Sequence, residues 1–109
     1  MEFEKYKLED MVKGWFIGNF EPSLYKTNHV EVGIKKYSQG DYENAHFHKI
    51  ATEFTLIISG IVEMNGIQYF ENDIIKIIPG LKANFKAITD VISVVVKLPG
   101  ANNDKYEED

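Results

Sequence analysis

The 109-residue chain contains no cysteine. That excludes a disulfide framework and a thiolate metal site, and leaves His, Asp and Glu as the side chains that could ligate a metal. Arginine is also absent, since all twelve basic residues are lysine. The planar bidentate fork that best matches carboxylate and phosphate is therefore missing. This argues against a nucleotide or nucleotide-sugar ligand unless lysines and backbone amides hold it, although an AT-rich genome would produce the same bias. Long apolar runs are lacking too. Nothing approaches the roughly 18 consecutive apolar residues of a membrane span, and the opening MEFEKYKLED mixes charges where a signal peptide needs an apolar stretch. A cytoplasmic protein is expected. The formal net charge of −5 argues against a nucleic-acid partner, which would need clustered positive charge, and no membrane partner is expected either.

What the chain does have is 44% hydrophobic residues in short β-branched and aromatic runs, broken every few residues by turn signals. This rhythm predicts an all-β domain. The expected strands are 15–20, 30–37, 45–50, 53–59, 61–64, 67–70, 73–78, 83–88 and 91–98. The length suits one domain over 1–109, with an N-terminal segment (1–14), a β-barrel (15–98) and a polar acidic tail (99–109) that frays or crosses the surface. Residues 4–13 offer only a weak helical pattern. Asn65-Gly66 between two short strands predicts a type I′ hairpin. The run VISVVVKL is apolar on both faces, and Phe54, Leu56 and Ile58 form an outward apolar set on a neighbouring strand. More apolar strand surface than one small core can cover predicts a homodimer.

One stretch carries chemistry. In GDYENAHFHKIATEFTLIISG (40–60), His46 and His48 stand two apart on an expected strand, so both imidazoles project from one face while Phe47 points away. Glu53 opens the next strand and can return beside them as an oxygen ligand. Two imidazoles and a carboxylate suit Fe, Mn, Zn, Ni or Co far better than Ca or Mg. If Glu53 faces inward, so do Thr55 and Ile57, while Ala83 and Phe85 share one face of another strand. Such a mostly apolar pocket suits a small organic molecule with one or two chelating oxygens.

The spacing of Gly40, His46, His48, Glu53 and Gly60 resembles the first signature of the cupin superfamily, matched at all five positions. The second signature matches in part, through Asp73 and the Pro79-Gly80 turn. Asn72 stands where glycine is usual, a substitution compatible with positive φ. Ile78 replaces a proline, and Ala83 stands where the family has its histidine. The resemblance implies a double-stranded β-helix, a conical jelly-roll-like barrel with its site inside the wider end. It implies a divalent transition metal on His46, His48 and Glu53, with no fourth protein ligand. Asn84 points to the opposite face from Ala83 by alternation, and no spacing argument brings His29 to the site. Cupins resembling this chain include dioxygenases, isomerases or epimerases, and decarboxylases. The alternative is a non-catalytic small-molecule-binding or accessory cupin without a tightly bound metal. No catalytic residue is assigned by spacing; Tyr42 and Glu43 are candidates through proximity to the histidines alone.

Overall fold

Alternation of inward and outward side chains organises the chain into two antiparallel sheets packed face to face. The computed structural model describes residues 2–107. Its strands are β1 (Trp15–Ile17), β2 (Glu31–Tyr37), β3 (Tyr42–His46), β4 (Thr52–Ser59), β5 (Val62–Met64), β6 (Ile67–Tyr69), β7 (Ile74–Ile77), β8 (Ala83–Ala87) and β9 (Val91–Leu98). One sheet has the order β1-β2-β9-β4-β7 and the other β3-β8-β5-β6. The topology is a double-stranded β-helix, as expected from the sequence.

Both sheets turn an inner face toward a shared interior, and the composition of that face changes along the strands. On β9 the inward residues run Val91, Ser93, Val95, Lys97, from fully apolar to charged. At the apolar end Ile57, Val62, Ala87 and Val91 are completely or almost completely buried and form the core with Met64 and Phe85. Burying one such Ile contributes about 1.5–3 kcal/mol. At the other end Glu31, Lys97 and Glu53 lie side by side in register across β2, β9 and β4. The core thus closes one end, and the polar inner face opens at the other.

Turn chemistry holds this arrangement. Asn65 and Gly66 both have positive φ, as a type I′ hairpin requires, and Asn72 adopts φ +74°. Local contacts settle the weakly patterned N-terminal segment and shift the bounds of the histidine strand. Residues 4–13 form no α-helix but a single 3₁₀ turn at Leu8–Asp10, whose N-cap Lys7 supplies no side-chain hydrogen bond. The histidine strand, expected at 45–50, starts three residues earlier at Tyr42, and it ends four residues earlier at His46 because Phe47 forms a lone bridge with Tyr106 instead. The tail meets the barrel again at Tyr106; residues 108 and 109 lie outside the described residues. No helix among the described residues is long and apolar enough to cross a membrane.

The two glycines of the first signature have different burdens. Both have positive φ, but a Cβ at Gly40 would meet nothing within 4 Å, whereas one at Gly60 would lie 2.1 Å from the Asp90 carbonyl oxygen. Gly40→Ala should cost about 1–2 kcal/mol, the ordinary left-handed penalty. Gly60→Ala should cost about 3 kcal/mol or more, because the backbone must also move. Urea denaturation of the two variants checks the order.

Candidate functional site

The open end of the barrel holds a cavity of about 310 Å³, at the small end of the range for small-molecule sites. His46, His48, Glu53, Thr55, Ala83 and Phe85 all line it, as the sequence predicts. Ile57 does not: it is fully buried in the core and forms no part of the wall. Ala83 sits directly across from His46 on the adjacent strand of the same sheet, not on an opposed one. His29 is exposed and away from the cavity. Asn84 borders it, but its side-chain oxygen accepts from the Asn65 amide at the hairpin turn.

His48 is the most constrained member. It is buried, and its Nδ1–H donates to the backbone carbonyl of Asp104. That bond leaves Nε2 carrying the lone pair, the tautomer a metal or a ligand donor would use. Nε2 lies 3.4 Å from Glu53 Oε1 but is misaligned for a hydrogen bond and has no other partner. The Glu53 carboxylate lifts the imidazole above its ordinary pKa against the opposing effect of burial. Burial pushes the Glu53 carboxyl up, yet His48, Lys97 and the Thr55 hydroxyl outweigh it and hold the carboxyl below its ordinary value. Thr55 Oγ1 donates to Glu53 Oε2 at 3.1 Å.

His46 stands edge-on to His48, ring centroids 5.5 Å apart, with Nδ1 at 3.2 Å from the Asn44 carbonyl. The three signature side chains therefore line one cavity, His46 from the four-stranded sheet and Glu53 from the five-stranded one. Among the described residues, however, no three His, Asp or Glu groups converge on a single point as a ready-made metal centre. The donor chemistry still fits a divalent transition metal, because the buried Nε2 is unsatisfied and a carboxylate stands beside it.

Several wall residues escape sequence reasoning. A bulge between Glu43 and His46 on β3 brings both to the same face, although simple alternation would separate them. Glu43 lines the cavity and accepts from the Tyr37 hydroxyl at 2.9 Å. Burial first, and Glu43 second, push that phenol far above its ordinary pKa, so it remains a donor. Tyr42, the other proximity candidate, is exposed and is not part of the wall. Lys35, Ser93 and Lys97 also line the cavity. For Ser93 and Lys97 the signal was in the alternation, since both fall on the inward side of the otherwise apolar VISVVVKL.

The sequence matches no protein-family model and no curated protein. Solved structures do resemble it. An uncharacterised protein with a double-stranded β-helix domain from Klebsiella pneumoniae has a TM-score of 0.66 at 25% identity, covering 91% of this chain and 87% of its own. An RmlC-like cupin from Shewanella frigidimarina has a TM-score of 0.64 at 16% identity, with 72% of each chain covered. KdgF from a Halomonas species has a TM-score of 0.63 at 16% identity, covering 71% of this chain and 76% of its own. Fold and cavity define a double-stranded β-helix protein with a cavity in the open end of its barrel. Its fold is the one shared by these double-stranded β-helix and cupin structures.

The Asp104 side chain secures the loop behind His48. Its carboxylate accepts from the backbone N–H groups of Lys49, Ile50 and Ala51 at 2.9–3.0 Å. Asp104→Ala should destabilise the protein by about 2–4 kcal/mol, since three buried or half-buried donors lose a charged acceptor. Asp104→Asn, which keeps one carbonyl acceptor, should lose about half as much. Chemical denaturation distinguishes the two.

Proposed function

We propose that this protein is a cupin and binds a small oxygen-bearing organic molecule in the open end of its barrel, at a divalent transition metal held by His46, His48 and Glu53. The observation that carries this reading is the buried, unpartnered Nε2 of His48, 3.4 Å from the Glu53 carboxylate and facing the cavity. Leaving such a nitrogen unsatisfied costs about 1–3 kcal/mol, which a metal or ligand would relieve. A bound ion would supply Lewis acidity toward a substrate oxygen. The chain's own contributions are the tautomer set by the Asp104 carbonyl, the carboxylate oriented by Thr55, and the protonated Tyr37 phenol near Glu43. Dioxygenase, isomerase and decarboxylase chemistries are all compatible with this wall. A second reading, in which the His48–Glu53 pair meets the ligand directly, is favoured by the lack of a convergent three-ligand geometry among the described residues.

Elemental analysis of untagged protein, followed by titration with Fe(II), Mn(II), Ni(II) and Zn(II), separates the two. The metal reading expects wild type to retain ion and His46→Ala and His48→Ala each to lose it while staying folded. No binding by wild type would leave the metal-free reading. Because Ala83 is the register partner of His46, Ala83→His should tighten metal binding about tenfold or more by adding an imidazole. A melting curve detects overpacking in that variant.

The same proposal includes a homodimer. On the outer face of the five-stranded sheet, Phe54, Leu56, Val94 and Val96 are aligned by register, with Ile74 67% and Ile58 42% exposed beside them. Leu8 and Met11 border a groove beside Ile34 on β2, so the N-terminal segment lies toward the β2 side of this face. A second copy, presenting the same apolar face, suits the uncovered part. Light scattering at micromolar concentration should give about twice 12.5 kDa; a monomeric mass refutes it.

A further inference from the structure

The chain carries a formal net charge of −5, yet its cavity is lined by Lys13, Lys35, Lys97 and Lys105 against only two carboxylates, Glu43 and Glu53. Four ammonium groups converging on one cavity of an acidic protein is a concentration of charge that packing does not require. Among the described residues none of the four forms an ion pair with a carboxylate. The placement of Lys35 and Lys97 is built into β2 and β9. Trp15 lies over Gly33, where a Cβ would come within 2.7 Å of the indole. Lys35 Nζ and Lys97 Nζ stand 5.4 and 5.0 Å from the same ring. Cation–π attraction of this kind holds an ammonium group at an aromatic face without neutralising it. Lys35 Nζ also donates to the uncharged Lys13 carbonyl at 2.8 Å and makes no ion pair.

Two further observations point to an absent ligand. Ser93, the register partner of Lys35, is 1% exposed, and its hydroxyl has no hydrogen-bond partner, although the residue borders the cavity. His48 Nε2 is the other buried side-chain polar atom left unpartnered among the described residues, and it borders the same cavity. Burial lowers the Lys35 ammonium below its ordinary pKa, opposed by Glu43 and reinforced by Lys13, Lys97 and Lys105, so the lysines repel one another across the cavity. A bound anion relieves that repulsion.

We infer that the ligand of this cavity is a small organic carboxylate, its negative end met by Lys35, Lys97 and the Ser93 hydroxyl, and another oxygen turned to His48 and Glu53. This inference rests on the reading of the cavity as a small-molecule site and supplies its substrate class. Lysines are the only strong cationic side chains available for the task in a chain without arginine. The cavity volume of about 310 Å³ suits a compact acid and not a nucleotide.

The test compares acids with their uncharged amides at fixed ionic strength: pyruvate with pyruvamide, malate with malamide, and gluconate with gluconamide. Binding is followed by amide chemical shifts on metal-free and Zn(II)-loaded protein. At least one acid should bind roughly tenfold or more tightly than its amide. Lys35→Met and Lys97→Met, which keep the apolar stem and remove the charge, should each erase that preference, and Lys97→Arg should retain it. Amides binding as well as acids, no acid binding up to about 10 mM, or an acid preference that survives both methionine variants would each overturn the inference. An acid preference in a protein that takes up no metal would uphold this inference and refute the metal reading. Metal uptake without acid preference would do the reverse.

Discussion

The clamp between Asp104 and residues 48–51 is the contact on which the site depends. Its carboxylate gathers three successive backbone N–H groups, while its carbonyl accepts the His48 Nδ1–H. One residue thereby shapes the turn that carries the chain from β3 in one sheet to β4 in the other, and selects the tautomer of the imidazole at the start of that turn. Without the turn Glu53 has no defined place opposite His48. The Phe47–Tyr106 bridge and the tilted stacking of their rings, 5.6 Å apart, fasten the same C-terminal segment to the barrel.

From this clamp the polarity of the interior follows. The closed end is filled with Ile, Val and Ala, while the open end gathers histidine, carboxylate and ammonium groups in adjacent register rows. Burial gives these charges their strength, because the interior screens them less than water does. Burial also forces them to find partners, which makes an unpaired imidazole nitrogen, an unpaired hydroxyl and a group of unpaired lysines informative about what the cavity accepts. The surplus positive charge inside an acidic molecule is local, so the chain's overall charge gives a misleading guide to its ligand.

The outer face of the five-stranded sheet obeys a different constraint. Its strands alternate correctly, but their outward residues are as apolar as their inward ones, with lysine as the charged exception at Lys36 and Lys76. A β-sandwich of this size has only one interior, so a second apolar face must either remain wet or meet another surface.

Much was legible in the residues alone. Period-two runs between turn signals define a β fold; the strand at 91–98 is found with the bounds expected of it, and Asn65, Gly66 and Asn72 adopt the positive φ their residue types favour. The spacing of Gly40, His46, His48, Glu53 and Gly60 identified the wall of the cavity, because such local spacing maps directly onto turns and faces of neighbouring strands. What depends on distant contacts was not legible. The β3 bulge that turns Glu43 inward arises from pairing with β8, and the assignment of Ile57 to the core depends on how deeply the opposite sheet packs. Asp104 reaches His48 across 56 positions of sequence, so no local pattern announces it. Lys35 and Lys97 become neighbours of one indole only when β2 and β9 pair and β1 lays Trp15 over Gly33. Sequence alone determined strand identity and the facing of each residue, which are local consequences of chain geometry. Tertiary structure alone decided which charges share the cavity, because that depends on the register and closure of strands far apart in the chain.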